Sequence, residues 1–210
     1  MSDVALEFHG PPTAASLLLL AHGAGAGCQS DFMQSMAAGL ATAGCRVGLF
    51  DFPYMQRATE EQRRRPPDRQ PRLLECWQLV LDQVKLKVNQ RLIIGGKSMG
   101  GRMASLLFEE STAAGLLCLG YPFHPAGKPE KQRVEHLTAI RKSVLIVQGD
   151  RDPLGNREDV ESYSLPSHFQ VRWLADGDHS FKPRLKSGWS EQQHRQQAIQ
   201  WIVAWADRLG

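Results

Sequence analysis

Cysteine is scarce in this 210-residue sequence, and its spacing excludes the common structural uses of thiols. The four cysteines lie far apart, at Cys28, Cys45, Cys76 and Cys118. None belongs to a C-x-x-C pair or to a run with zinc-ligand spacing. We therefore expect buried free thiols rather than a disulfide framework, no metal, and a location in the reducing cytoplasm.

An excess of one charge is also absent from the sequence. Lysine and arginine total 25 against 22 aspartates and glutamates, and the formal net charge is only +3. Proteins that bind nucleic acid usually carry a strongly basic surface, so we expect no nucleic-acid partner. The same balance gives no argument about whether a substrate is acidic.

Long hydrophobic runs are missing as well. The apolar stretch near the N-terminus, Ser16–Ala21, is far shorter than the roughly 20 residues that span a bilayer. The residues before it include Asp3 and Glu7 but no lysine or arginine, whereas an export signal begins with a positive region. We expect neither a membrane span nor an export signal here, and we interpret the stretch as a buried strand.

What the sequence does contain is an alternation of short apolar runs with longer amphipathic stretches. The predicted strands are Val4–Phe8, Ser16–Ala21, Arg46–Phe50, Leu92–Gly95, Gly115–Leu119, Val144–Val147 and Phe169–Leu174. The predicted helices are Asp31–Ala43, Leu73–Val88, Met99–Glu110 and a closing helix marked by Ile199, Ile202, Val203 and Leu209. Because the strand runs are continuously apolar, they favour an α/β fold with a mostly parallel sheet of about seven strands and helices on both faces.

Two segments depart from this alternation. Pro53–Pro71 contains Arg63–Arg65 followed by two prolines, and we expect an exposed loop there that is either solvated or in contact with an anionic substrate. Pro122–Pro129 is a second proline-rich turn, and it precedes a predicted short helix over Glu130–Ala139. Neither segment is long enough for an independent domain, so we expect one domain over residues 1–210.

The pattern Gly96-Lys97-Ser98-Met99-Gly100 carries the strongest chemical signal. It is a G-x-S-x-G nucleophile elbow, and it lies where an apolar strand ends and an amphipathic helix begins. A serine on such a sharp turn leaves no room for a side chain two residues away on either side. We interpret Ser98 as a nucleophile.

A serine hydroxyl needs a base to accept its proton and a carboxylate to orient that base. With a nucleophile elbow, the acid and then the histidine follow the serine along the chain. Asp150 and Asp152 both lie on the turn after the strand Val144–Val147, and either can be the acid. His179 alone among the seven histidines lies beyond both groups on a loop that follows a strand, whereas His194 is expected to be solvated in the polar start of the last helix.

An oxyanion hole requires two backbone N–H donors that point at the developing charge. One is expected from Met99, the residue after the nucleophile, and the second from Ala24 in the glycine-rich loop after the first buried strand. His22 is expected to brace this loop. The loop matches neither G-x-x-x-x-G-K-[ST] nor G-x-G-x-x-G, so it is not a phosphate-binding loop, and we expect no cofactor.

These motifs resemble those of the α/β-hydrolase superfamily, and more narrowly those of the dienelactone-hydrolase-like proteins grouped with the NSL-complex subunit and the testis-expressed branch. The segments that carry the resemblance are AHGAG at 21–25, FDFPY at 50–54, GGKSMGGR at 95–102, GYPFHP at 120–125, GKPE at 127–130 and QGDRDP at 148–153. The resemblance implies an α/β-hydrolase fold with Ser98 as nucleophile and His179 as base. It favours Asp152 over Asp150, because the superfamily acid usually ends a G-x-x-D turn.

The resulting hypothesis is acyl transfer from an ester or thioester to water through an acyl-serine intermediate. Only Tyr121–Ile140 is available for a lid, so we expect a minimal lid or none, and an open site for small or surface-presented acyl groups. Two alternatives stay open: a protein-interaction module with little activity, and a cofactor-free perhydrolase, which Met99 beside the nucleophile permits. The sequence makes no prediction about the oligomeric state.

Overall fold

The computed structural model describes residues 3–209, and its central element is a seven-stranded sheet. The strands are β1 (Glu7–His9), β2 (Ser16–Ala21), β3 (Arg46–Phe50), β4 (Arg91–Lys97), β5 (Gly115–Leu119), β6 (Ser143–Gly149) and β7 (Gln170–Leu174). Their order across the sheet is β1-β3-β2-β4-β5-β6-β7. The β1–β3 pair is antiparallel and the other pairs are parallel, which confirms the predicted mostly parallel sheet.

The strands at the centre of the sheet are buried on both faces. Every residue of β2 and β5 is buried, as is every residue of β4 and β6 after the first. In β2, Leu17 and Leu19 belong to one core cluster, while Leu18 and Leu20 belong to the other. Successive side chains of a strand point to opposite faces, so a continuous apolar run suits a strand that is covered on both sides.

Helices cover both faces of this sheet. Within residues 3–209 the α-helices are α1 (Asp31–Thr42), α2 (Pro53–Glu60), α3 (Gln70–Gln83), α4 (Met99–Phe108), α5 (Arg157–Glu161) and α6 (Glu191–Ala206). One core cluster contains Trp77 of α3 and Phe108 of α4, and the other contains Met36 of α1 and Trp205 of α6. None of the helices in the described part of the chain has the length and apolar composition that crossing a bilayer requires.

The loop predicted over Pro53–Pro71 is only partly correct, because its first residues form helix α2. Pro53 lies in the first turn of that helix, where a missing N–H removes no helical hydrogen bond. Tyr54 is fully buried, and it attaches the helix to the core. The irregular part of the segment is therefore confined to residues 61–69.

Two other helix predictions were wrong in extent. The helix expected over Leu73–Val88 is α3, which begins and ends earlier, at Gln70 and Gln83. The helix expected over Glu130–Ala139 is reduced to a 3₁₀ turn over Glu135–Ala139. No longer helix is inserted between β5 and β6, so the described chain carries no helical lid at this position.

The prediction that His194 is solvated is also wrong. Helix α6 begins with a capping box between Ser190 and Gln193, and His194 follows in its first turn. The imidazole is 2 % exposed, and its Nδ1 lies 2.8 Å from the carbonyl oxygen of Phe181. The chain after β7 folds back over the start of α6, and this tertiary contact buries a histidine that local sequence polarity assigns to the surface.

Candidate active site

Ser98 lies on the sharp turn between β4 and α4. Its backbone has φ 50° and ψ −114°, a conformation that residues other than glycine rarely adopt. The N–H of Ser98 donates to the carbonyl oxygen of Leu119 on the neighbouring strand β5, with an N–O distance of 3.0 Å. The turn is thus strained, and it is held in place by the adjacent strand.

The glycines on either side of Ser98 are required by close backbone contacts. A Cβ atom at Gly96 would lie 2.1 Å from the carbonyl oxygen of Ala21, and one at Gly100 would lie 2.3 Å from the same oxygen. Both distances are far shorter than van der Waals contact. The steric reason that the sequence suggested for the two glycines is therefore present in the structure, with the end of β2 as the obstacle.

Three of the predicted site residues meet above this turn. The Nε2 atom of His179 lies 2.9 Å from the Ser98 Oγ, and its Nδ1 atom lies 2.7 Å from Asp152 Oδ2. Because an ionised carboxylate can only accept, Nδ1–H of His179 donates to Asp152, and Nε2 is left to accept the Ser98 hydroxyl proton. This is the tautomer that a general base next to a serine requires.

The structure also distinguishes between the two candidate acids. Asp152 is fully buried, and it accepts hydrogen bonds from the Gln148 amide at 2.9 Å and from the Leu154 N–H at 2.8 Å. Asp150 makes no hydrogen bond with His179 among the described residues, and its Oδ1 has no hydrogen-bond partner there. The structure therefore places Asp152, and not Asp150, against the histidine.

Gln148 is a site residue that the sequence analysis missed. Its amide also accepts from the N–H of Tyr121 at 2.7 Å and donates to the carbonyl oxygens of Tyr121 and Gly155. The side chain is fully buried and satisfies backbone groups of two loops as well as Asp152. The sequence feature that could have identified Gln148 is its polar side chain at the end of an apolar strand, directly before Gly149.

Lys97 is the second missed residue, although it stands within the elbow motif. Its Nζ donates to the carbonyl oxygen of His179 at 2.6 Å, and the residue is only 8 % exposed. Burial lowers the pKa of Lys97 to about 8, while the nearby carboxylates of Asp152 and Asp178 act in the opposite direction. A buried lysine therefore fixes the backbone of the histidine loop, the loop that follows β7 and contains His179.

The loop after β2 packs against the nucleophile. A Cβ atom at Gly23 would lie 3.6 Å from the Cβ of Ser98, which is ordinary van der Waals contact. The hydroxyl of Tyr54 donates to the carbonyl oxygen of Ala24 at 3.1 Å. Ala24 itself is exposed, so the loop places an accessible backbone segment beside Ser98.

His22 fixes the base of this loop. Its Nε2 accepts from the N–H of Phe52 at 3.1 Å, so Nδ1 carries the proton and donates to the carbonyl oxygen of Gly23 at 2.7 Å. Burial lowers the pKa of His22, against the opposing effect of nearby Asp51. A neutral, fully buried His22 therefore links the loop to the chain that follows β3.

The Arg63–Arg65 segment lies close to the same loop. It lines a cavity of about 500 Å³ together with Ala24 and Gly25. All three arginines are exposed, and Arg65 forms an ion pair with Glu61 at 2.6 Å. A separate cavity of about 800 Å³ lies between α1 and α6, and none of the three residues that meet at Ser98 lines it.

The sequence matches a protein-family model over most of its length. The family model for the alpha/beta hydrolase domain matches residues 14–207, which extend from just before β2 to the end of α6. A search among curated proteins found no match.

Solved structures with the same architecture cover nearly the whole chain. A dienelactone hydrolase from Anabaena variabilis superimposes with a TM-score of 0.68 at 20% identity, over 95% of this chain and 90% of that one. An α/β serine hydrolase without a lid from Xanthomonas campestris gives 0.69 at 16% identity, over 95% and 87%. An α/β serine hydrolase homologue from Coxiella burnetii gives 0.69 at 15% identity, over 95% and 89%. At these identities the likeness concerns the fold alone.

Proposed function

Because this chain belongs to the α/β-hydrolase family, we propose that it is a serine hydrolase that cleaves esters or thioesters. The observation that carries the proposal is the continuous hydrogen-bonded chain from Asp152 through His179 to Ser98. The serine sits on a strained turn, and the side chain of His179 is 25 % exposed, so a substrate can approach both groups from solvent. The proposed catalytic residues are Ser98, His179 and Asp152.

In the proposed reaction, the Ser98 Oγ attacks the carbonyl carbon while His179 Nε2 takes the hydroxyl proton. Asp152 keeps the imidazole in the required tautomer and stabilises the imidazolium. The oxyanion is held by the N–H groups of Met99 and Ala24, and the imidazolium then protonates the departing alcohol or thiol. Water then attacks the acyl-serine while His179 takes its proton, and the imidazolium returns that proton to the Ser98 Oγ as the bond to the acyl group breaks and the carboxylic acid leaves.

Gln148 and Lys97 are positioning residues in this scheme. Gln148 fixes one oxygen of Asp152, and Lys97 fixes the main chain of His179. Neither touches the reacting atoms. Their burial makes the geometry of the acid and the base independent of solvent, as a preorganised site requires.

The proposed substrates are small or surface-presented acyl groups, because no helical lid is inserted between β5 and β6. The narrower resemblance to the NSL-complex-subunit and testis-expressed group belongs to this proposal, and it rests on Gly120–Pro125 and Gly127–Glu130. The four cysteines are buried as free thiols, which fits the proposed cytoplasmic location.

Labelling with a fluorophosphonate probe tests the proposal directly. We expect wild type to be labelled, Ser98→Ala to lose all labelling, and His179→Ala to label at least about 10²-fold more slowly. Ser105→Ala is the matched control, because Ser105 lies on α4 in contact with another histidine. Circular dichroism verifies that each variant is folded.

Two results would contradict the proposal. Folded wild type that takes up no probe would favour a protein-interaction role on the same fold. Labelling that survives in Ser98→Ala would mean that another residue is the reactive nucleophile.

A further inference from the structure

A second polar cluster lies on α4 beyond the nucleophile, and the proposed mechanism does not use it. A cavity of about 380 Å³ opens between this helix and the segment before β6. We call it the arginine cavity, and its lining residues are Arg102, Gln132, Arg133, Glu135 and His136.

The two arginines of this cavity lack counter-ions. Neither Arg102 nor Arg133 forms a side-chain hydrogen bond or an ion pair with any residue from 3 to 209, and the Nε of Arg102 is buried without a partner. By contrast, Arg57 pairs with Asp68 at 2.7 Å, as is usual for a half-buried guanidinium. Glu135 also lines the cavity, but it is exposed and reaches neither arginine.

The two guanidinium groups are close enough to repel each other. Burial and the charge of Arg102 together lower the pKa of Arg133. Leaving a buried, charged donor unpaired is unfavourable, whereas a carboxylate or phosphate can accept two parallel N–H bonds from one guanidinium. The cavity therefore has the donors and the net charge of an anion site.

His136 adds a neutral wall to this site. The hydroxyls of Ser105 and Tyr121 already donate to backbone carbonyls, so the Nε2 of His136, 2.8 Å from the Ser105 Oγ, must be a donor. Burial, reinforced by Arg102, lowers the pKa of His136 to about 4. The positive charge in the cavity thus comes from the arginines and not from the imidazole.

Helix α4 connects the arginine cavity to the nucleophile, because Arg102 of the cavity follows Ser98 by four residues. The N–H of Arg102 donates to the carbonyl oxygen of Ser98 at 3.0 Å, so the arginine is one helical turn beyond the serine. Four residues advance a helix by about 6 Å, which is close to the length of a short acyl chain. An acyl group on Ser98 with an anionic far end matches this spacing.

We propose that the arginine cavity binds the carboxylate or phosphate group at the far end of an acyl chain attached to Ser98. This assignment of a substrate class rests on the proposed hydrolase function. Arg102 and Arg133 are the binding residues, and they select acyl groups with a negative charge.

Binding of free anions tests the site without requiring hydrolysis. Sodium succinate and inorganic phosphate are titrated separately into wild type by calorimetry at constant ionic strength. We expect at least one to bind, and Arg102→Gln and Arg133→Gln each to weaken its binding by at least about tenfold. Arg141→Gln, an exposed arginine outside the cavity, is the control and should bind as wild type does. Binding of one anion alone identifies a carboxylate or a phosphate as the preferred group.

A kinetic comparison tests the link to the substrate. Mono-4-nitrophenyl succinate and 4-nitrophenyl butyrate have acyl chains of equal length and differ in the terminal charge. We expect wild type to favour the succinate in kcat/KM, and Arg102→Gln and Arg133→Gln to reduce that preference about tenfold.

The results separate failure of this inference from failure of the hydrolase proposal. Labelling of wild type by the fluorophosphonate, without anion binding that depends on Arg102, would overturn the inference and leave the hydrolase intact. Anion binding lost in Arg102→Gln, in a protein that no probe labels, would support the site and overturn the hydrolase. Hydrolysis without preference for the succinate would overturn the assignment of the site to the substrate.

Discussion

Two serine–histidine pairs among residues 3–209 involve the same helix, one at its start and one within it, and only the first has the organisation of a catalytic pair. Ser98 precedes α4, and its Oγ lies 2.9 Å from His179 Nε2. Ser105 lies within α4, and its Oγ lies 2.8 Å from His136 Nε2. The distance between hydroxyl and imidazole is therefore nearly the same, and it does not distinguish the two pairs.

The neighbours of each pair make the difference. His179 donates to the buried carboxylate of Asp152, so its other nitrogen is free to accept a proton. Burial, reinforced by the charge of Arg102, lowers the pKa of His136 and weakens it as a base. The Ser105 hydroxyl already donates to the carbonyl oxygen of Arg102 at 2.7 Å, so it has no proton to give to the histidine. A serine beside a histidine becomes a nucleophile only when a carboxylate orients the base and the hydroxyl proton is available.

Removing the carboxylate from the first pair should produce the largest effect. We expect Asp152→Asn to lower kcat for ester hydrolysis on the order of 10³–10⁴-fold, because an amide no longer stabilises the tautomer with the proton on Nδ1. The matched control is Asp150→Asn, which we expect to stay within about threefold of wild type. The assay uses 4-nitrophenyl butyrate.

A reversed order of these two effects would show that Asp150 is the acid. It would also show that the neighbours of His179 in the structure do not govern its chemistry.

Lys97 provides a second difference between the pairs, because it anchors His179, whereas no lysine from residue 3 to residue 209 donates a hydrogen bond to His136. We expect Lys97→Met to lower kcat roughly 10- to 100-fold with little change in KM, since loss of the donor to the His179 carbonyl oxygen displaces the base. Lys142→Met is the control, because Lys142 also donates to two backbone carbonyls but lies away from the site.

The pH profile distinguishes positioning by Lys97 from a general loss of stability. The pKa of Lys97 is about 8, so the ammonium loses its charge and donates more weakly as the pH rises through that value. We expect the kcat of wild type to decline above pH 8 and the kcat of Lys97→Met to lack this decline. The same decline in both proteins would assign it to another group.

The second pair should affect how the free energy of unfolding changes at acid pH, through His136. Burial lowers the pKa of His136 from 6.5 to about 4, so the folded state binds fewer protons than the unfolded state between these values. The stability that the neutral imidazole contributes is complete above pH 6.5 and is lost as the pH falls towards 4. Between pH 7 and pH 5 we expect wild type to lose about 1 kcal/mol more than His136→Asn, since the ring is partly exposed.

Urea unfolding at the two pH values measures this difference. His168→Asn, which replaces an exposed histidine, is the control and should lose as much stability as wild type. An equal loss in His136→Asn and wild type would show that His136 is not held neutral by its surroundings.

The smallest effect is expected from Ser105→Ala. It removes the acceptor of the His136 N–H, which should lower the free energy of unfolding by about 1 kcal/mol. Fluorophosphonate labelling should be unchanged, because Ser105 is 3 % exposed and carries no activated hydroxyl. Loss of labelling in a folded Ser105→Ala protein would make the two pairs equivalent and contradict the comparison.

Much of the fold followed from residues that are adjacent in the chain. Strands β2, β3 and β5 have the predicted boundaries, because continuous apolar runs between turn residues suit few other structures. The helix α2 was not predicted, since burial of Tyr54 overrides its polar and proline-rich composition. The helix predicted over Glu130–Ala139 was too long, because only Glu135–Ala139 forms a 3₁₀ turn, where His136 contacts α4.

The candidate site, too, was predicted in part from the sequence and in part only from the structure. The spacing of two glycines about Ser98 required a strained turn, and the structure places that turn against the end of β2. The residues alone left Asp150 and Asp152 equal, and the resemblance to a family favoured Asp152. The contact with His179 depends on Gln148 and the Leu154 N–H, which hold one carboxylate in a position that spacing does not encode.

Amino-acid order was sufficient to predict the layers, the elbow and the candidates for base and acid, because each depends on local periodicity or on a short motif. Three-dimensional packing was needed to bury Lys97 beneath the histidine loop, to cover His194 with the chain after β7, and to bring Arg102 and Arg133 together. These contacts join segments that are distant in the chain. Their free energies depend on burial and charge that arise only when the sheet, the helices and the loops have assembled.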